Sequence, residues 1–221
     1  MKISVETLNI LKNFSTINSS LVVKQGNILR TISPAKNILA KFECPESFGN
    51  DFAVYDLNEF LNGMGLHHSP ELNFEADNYV VISYCEMRSK YFFSDPSVIT
   101  APPEKDIELP TIDVEFTLTD EVLSSLLRAA SVYQLPDLSL VGKKGDMNLV
   151  VRTKNNDTSN NFSVKVGETT NEFCFNFKVE NLKILPGVYN VQVSTANISQ
   201  FTHDKWNLSY LIALEPDSTF N

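Results

Sequence analysis

At 221 residues, with 43% apolar residues and 20% charged ones, the chain is long enough for two domains of ordinary soluble composition. No run approaches the ~20 consecutive apolar residues of a membrane span. The opening residues, Met1–Asn13, have no apolar stretch leading to a small-residue cleavage site, so the expectation is a cytoplasmic protein with no signal peptide and no membrane partner. The net charge of −9 excludes a surface covered in nucleic acid, but not one basic face on an acidic remainder.

A helix is predicted over Val5–Ile17, where Leu8, Leu11, Phe14 and Ile17 recur at helical spacing and Asn9, Lys12, Asn13 and Thr16 fall on the other side. Strands follow at Ser20–Lys24, Ile28–Ile32 and Asn37–Phe42, separated by turn signals at Gly26-Asn27 and Ser33-Pro34. A short strand, Phe52–Tyr55, leads into a second helix over Leu57–Leu66. Asp56 is its N-cap, Glu59 completes a capping-box-like pair, and Leu57, Phe60, Leu61 and Met64 form its apolar stripe. Strands at Leu72–Ala76, Tyr79–Tyr84 and Met87–Phe93 complete the first half.

Pro96, Pro102, Pro103 and Pro110 then forbid regular structure, so residues 94–110 read as a linker between domains over 1–93 and 111–221. The second half repeats the plan. A strand at Asp113–Leu118 enters a helix over Asp120–Tyr133 with Thr119 as N-cap, its Val122, Leu123, Leu126, Leu127 and Ala130 facing inward. Strands are expected at Leu138–Val141, Met147–Thr153, Phe162–Val166 and Glu172–Phe175, then a fourth helix over Phe177–Leu185 closed by Pro186-Gly187, and last strands at Val188–Thr195 and Leu208–Glu215. The fold class is therefore α+β with two similar domains, and the fourfold helix-plus-strands order reads as duplication.

The motifs of enzymes are missing. There is no phosphate-binding glycine loop, GxSxG, HExxH or CxxC, and no cofactor or metal is expected. Cys44, Cys85 and Cys174 are odd in number, widely spaced and flanked by apolar residues, which reads as small core residues. His67-His68 follows a helix end and reads as a solvated C-terminal feature. The outward helix faces carry Asn, Ser and Thr with few charges: Lys12 on the first, Arg128 on the third, Lys178 and Lys183 on the fourth, none on the second. Such a surface would meet phosphates loosely, through water, as sliding along a duplex requires.

Specific segments then carry a resemblance. LKNFSTINS at Leu11–Ser19, YDLNEFL at Tyr55–Leu61, DPSVITAP at Asp95–Pro102, LLRAAS at Leu126–Ser131, the Leu185-Pro186-Gly187 turn followed by Tyr189, and YLIALEPDST at Tyr210–Thr219 together resemble the DNA polymerase sliding clamps of T-even-type bacteriophages. The matches run in the same order and cover nearly the whole chain.

The resemblance implies the DNA-clamp fold and no enzymatic activity. It implies a homotrimeric ring around duplex DNA, helices lining the hole and sheets outside, bound without regard to sequence in the cytoplasm of an infected bacterium. Its implied partners are the replicative DNA polymerase, a clamp-loader ATPase and late-transcription factors. Lys12, Arg128, Lys178 and Lys183 match positions facing the hole, with Lys2 at its entrance. Partner peptides would enter an apolar groove formed by Val98, Ile99, Ile107, Leu109, Tyr210, Ile212 and Pro216. Subunits would join through the strand near Met87–Phe93 of one copy and Phe162–Val166 of the next.

Two other readings fit the composition. One is a non-enzymatic viral structural or interaction protein of the same α+β layout. The other is a single-strand binder, which would interleave aromatic and basic residues on strands; Lys90 beside Tyr91-Phe92-Phe93 is the one such cluster, and it reads as core or edge packing.

Overall fold

The computed structural model describes residues 1–156 and 158–221, and it divides into two compact units, Met1–Lys105 and Asp106–Asn221. The division falls within the proline-rich segment 94–110.

The first unit contains α1 (Val5–Ile17), β1 (Leu21–Val23), β2 (Gly26–Ile32), β3 (Ile38–Phe48), β4 (Phe52–Val54), α2 (Leu57–Gly65), β5 (Glu71–Ala76), β6 (Tyr79–Tyr84) and β7 (Met87–Phe92). The Ser4 hydroxyl accepts the Thr7 amide and caps α1. Glu46, on β3, accepts from the Thr7 hydroxyl at 2.6 Å and from the Ser4 amide. Burial opposes its charge, yet these hydrogen bonds prevail and hold the carboxyl below its usual range, which ties the start of α1 to β3. α2 begins as its sequence requires: the Asp56 carboxylate accepts the Glu59 amide, and Leu57, Phe60, Leu61 and Met64 are all buried. β1 pairs with β4, β2 with β3, and β5, β6 and β7 form an antiparallel sheet in that order. Phe52 meets Phe48, Phe74 and Phe93 at ring distances of 5.7, 5.3 and 4.9 Å, which joins β3 and β4 to the β5–β7 sheet.

The second unit contains β8 (Val114–Leu118), α3 (Asp120–Tyr133), β9 (Asp137–Lys143), β10 (Asp146–Arg152), β11 (Phe162–Glu168), β12 (Phe173–Lys178), β13 (Tyr189–Ser194), β14 (Ile198–His203), β15 (Leu208–Ala213) and β16 (Thr219–Phe220). Thr119 caps α3 through the Val122 amide, and Gln134 ends it in the left-handed conformation. One sheet runs β11-β10-β9-β12-β16; β8, β13, β14 and β15 are successive neighbours in another.

The fourth expected helix is corrected. Phe177 and Lys178 end β12, and the chain continues as one short 3-10 turn, Val179–Asn181. Phe173, Phe175 and Phe177 alternate along β12 and are buried, the period of a strand, and the strand pairs with β9 from Phe173↔Gly142 to Lys178↔Asp137. The Leu185-Pro186-Gly187 turn is fixed from both sides. The Tyr189 hydroxyl donates to the Leu185 carbonyl at 2.6 Å, and the Leu185 amide donates to the Tyr210 hydroxyl at 3.3 Å. Burial pushes both phenols up, so they stay protonated. Gly187 is required by close approach: a Cβ there would lie 2.3 Å from His203 Nε2.

Three smaller expectations also change. β14 and β16 lie where no strand was predicted, the first because its alternation is masked by polar residues and the second because two residues carry no pattern. His67 is buried rather than solvated; its Nε2 lies 3.2 Å from Ser89 Oγ on β7, while His68 is exposed. Cys85 is exposed in the β6–β7 turn at φ 52°, and Cys174 is half-buried. Cys44 alone is the buried residue expected, its thiol pushed up to about 11 by burial and the nearby Glu46 charge.

Candidate functional site

Helical periodicity decides what α1 and α3 offer to solvent. On α1 the exposed stripe is Val5, Asn9, Lys12 and Thr16; on α3 it is Glu121, Ser124, Arg128 and Ser131. Lys12 and Arg128 thus sit on exposed helix faces, as expected, beside Asn9, Thr16, Ser124 and Ser131, with Val5 and Glu121 nearer the helix starts. α2 exposes Asn58, Glu59 and Asn62.

The other predicted cations fall elsewhere. Lys2 is exposed, and its ammonium lies 3.4 Å from Glu71, with which it forms an isolated β-bridge. Lys183 is exposed in the loop after the 3-10 turn rather than on a helix. Lys178 closes β12 and donates to Asp137 at 2.7 Å. The Asp137 side chain is only 4% exposed, so this pair holds β12 to β9 and leaves Lys178 a structural task. Sequence reading missed Asp137. The available signal was a charge at the end of each of two alternately apolar strands, which antiparallel pairing brings together.

The predicted peptide groove separates into outward and inward members. Val98, Ile107 and Pro216 are exposed, and Leu109 is half-buried. Ile99 is buried in the first unit, and Tyr210 and Ile212 are fully buried in the second. This corrects the expectation for Tyr210 and Ile212: alternation along β15 does not bring either to a surface, because residues on both faces of that strand are covered.

The first unit carries a separate cleft of about 470 Å³ between β2 and the start of the linker. Ile28 and Arg30 lie on one side and Ala101–Glu104 on the other. Lys24 spans it, 3.0 Å from Asp51 and 4.0 Å from Glu104, and the Arg30 guanidinium donates to the Glu104 carbonyl.

Among the strands that end their sheets are β7 in the first unit, opposite β5, and β11 in the second, opposite β16. Each has one edge that pairs with no strand of its own sheet, the geometry that accepts a strand from another chain. They correspond to the segments expected to join subunits.

Two family models match successive parts of the chain. The family model described as DNA polymerase processivity factor matches residues 4–100, and that described as gp45 sliding clamp, C terminal, matches residues 115–216. The sliding clamp of Vibrio phage KVP40 is 32% identical over 222 residues, covering 97% of this chain and 99% of that protein. The sliding clamp of Enterobacteria phage T4 is 30% identical over 230 residues, covering 99% of each. Among solved structures, PCNA of Thermococcus kodakaraensis superposes with a TM-score of 0.69 at 14% identity, over 95% of this chain and 96% of that one. A. fulgidus PCNA, solved with the C-terminal region of FEN-1, gives 0.68 at 14% identity, over 96% of each chain. At such identity these two report the fold.

Proposed function

The chain belongs to the phage sliding-clamp family, processivity factors of DNA polymerase that carry out no chemistry of their own, and from that premise we propose that it works as a homotrimeric ring closed around duplex DNA. The observation that carries the reading is the whole-chain similarity to two phage sliding clamps, joined to a two-unit α+β fold shared with PCNA. In this proposal β7 of one subunit pairs with β11 of the next. A head-to-tail contact of this kind closes a ring when the rotation permits.

DNA passes the exposed faces of α1 and α3. Lys12 and Arg128 supply its phosphate contacts, with Lys183 from its loop and Lys2 at the margin. Lys178 leaves that set because it neutralises buried Asp137. Few DNA-facing cations on a chain of net charge −9 suit a protein that must hold DNA by enclosure and slide: contacts are weak, and an acidic remainder repels DNA from outside.

The clamp tethers the replicative polymerase and is opened by a clamp-loader ATPase in the cytoplasm of an infected bacterium. It also serves late-transcription factors. Partner peptides bind beside the linker, where Ile107, Leu109 and Pro216 of the second unit offer apolar surface. Support for peptide docking comes by analogy with A. fulgidus PCNA, which was solved with the C-terminal region of another protein. The test is Ile107→Asp: partner-peptide affinity should be lost while the trimer persists. Unchanged affinity would refute the placement.

A further inference from the structure

The last residues of the chain are held on β12 in the manner of a bound peptide. Beyond β15 the chain turns at Glu215–Ser218, with the Ser218 amide donating to the Glu215 carbonyl at 3.1 Å. It then pairs with the free side of β12 over two residues, Phe220 opposite Phe173 and Thr219 opposite Cys174. A two-residue ladder is too short to hold a strand by itself. The Ser218 hydroxyl accepts the Asn176 amide at 3.0 Å, and two further side chains fix the tail.

The first is Asp217. The Lys154 ammonium donates to it at 2.8 Å, and Asn176 Nδ2 donates at 3.2 Å. The Lys154 side chain is only 13% exposed, and its second contact is with Glu215 at 3.6 Å. A mostly covered lysine side chain beside a buried amide makes a seat for a carboxylate that keeps about half of its own surface in water. The Lys154 hydrogen bond, helped by Asn176, holds the Asp217 carboxyl below its ordinary range. The second side chain is Phe220. Its ring lies nearly parallel to Phe173, 6.0 Å and 12° away, and 6.1 Å from Phe175, while its outer side stays open to water. Backbone bonds complete the seat: the Glu215 amide donates to the Asn176 carbonyl at 2.8 Å, and the Asn221 amide to the Glu172 carbonyl at 2.9 Å.

We propose that β12, Lys154 and Asn176 form a peptide-docking site covered by the chain's own C-terminal tail, and that a partner's extended segment with an acidic side chain and an aromatic one three residues later displaces the tail and takes its place. The tail states the chemistry of the occupant: Asp217 shows what the cationic seat holds, Phe220 what the phenylalanine platform holds, and its backbone shows strand addition as the mode. Displacement is feasible because a two-residue ladder at a sheet edge opens locally far below the cost of global unfolding. The site is distinct from the surface beside the linker, whose apolar members include Ile107 and Leu109.

The test uses the 221-residue chain and two fluorescent peptides. One reproduces residues 215–221, Glu-Pro-Asp-Ser-Thr-Phe-Asn; the other keeps its acidic and aromatic positions and replaces the rest by Ala and Ser. In the variant Asp217→Ala/Phe220→Ala the native tail is loosened, so both peptides should bind at least about tenfold more tightly than to wild type, where the competent fraction is small. Adding Lys154→Met should abolish this gain. If the double variant does not fold, Phe220→Ala alone gives the same comparison with a smaller shift. Equal affinity for variant and wild type, or no binding to a folded variant, overturns the proposal. Binding of the first peptide alone would make the seat a private clip for this tail and overturn it too, as would exchange of tails between copies in place of peptide binding.

Discussion

In each unit a helix is followed by four strands and then by a short apolar segment, and the two segments end differently. In the first unit the segment is α2; in the second it is the strand end Phe177–Lys178 and a single 3-10 turn, Val179–Asn181. α2 has a capping carboxylate at Asp56 and apolar residues at i, i+3, i+4 and i+7. The second segment has Lys178 at the equivalent start, with no side-chain cap, and a turn fixed by Tyr189 and Tyr210 only a few residues on. The stretch left between them is shorter than two helical turns, below what an uncapped helix sustains. Repetition at the level of element order therefore does not guarantee repetition of each element; caps and fixed ends decide. For function, the second unit presents one exposed helix face where the first presents two.

The comparison can be broken most forcefully at its aromatic residues. Phe177→Ala and Phe60→Ala should each cost about 3–5 kcal/mol. In urea unfolding followed by hydrogen exchange, the first should loosen β9 and β12 and the second α2 and β7. Phe177→Ala effects confined to a helix-like local segment would contradict the strand. Lys178→Met comes next, at about 3 kcal/mol, since Asp137 would stay buried without its ammonium. Lys12→Met should stay within about 0.5 kcal/mol, as for an exposed helix residue. Equal midpoints for the two lysine variants would return Lys178 to an exposed face. Asp56→Ala should cost about 1 kcal/mol by removing the α2 cap, visible as faster amide exchange at Glu59. Acid should act most gently. Asp217 is held below its ordinary value, so its contribution is full at neutral pH and is lost as the pH falls below the usual aspartate value of 3.8. Amide exchange at Thr219–Asn221 should rise there before the rest of the second unit loosens; simultaneous loosening would count against a separately held tail.

Much of this was legible in the residues because local signals agreed. α1 and α3 are found over the predicted spans, β6 likewise, and Asp56 and Thr119 cap as expected. In those segments capping residue, apolar period and terminator all point one way. The Phe177–Leu185 segment misled because Phe177, Asn181, Leu182 and Leu185 satisfy a helical spacing while Phe173, Phe175 and Phe177 satisfy alternation; only pairing with β9 decides between them. The same limit hid the Asp137–Lys178 pair and the tail on β12, since both join residues 41 or more positions apart. Lys12 and Arg128 were visible because an exposed helical position follows from period alone. Tyr210 and Ile212 were misplaced because alternation says which residues share a face, not whether that face is covered.

The claim that this chain encircles DNA is tested most directly by loading it on nicked circular DNA with its clamp loader and ATP, then cutting the circle. The account predicts three 24.8 kDa chains per ring by native mass, retention on the closed circle through gel filtration, and release once the DNA has ends. Lys12→Glu with Arg128→Glu should leave the trimer intact and lower the salt slope of binding by roughly one unit per lost phosphate contact. A monodisperse monomer at micromolar concentration, or equal retention before and after linearisation, would contradict the account.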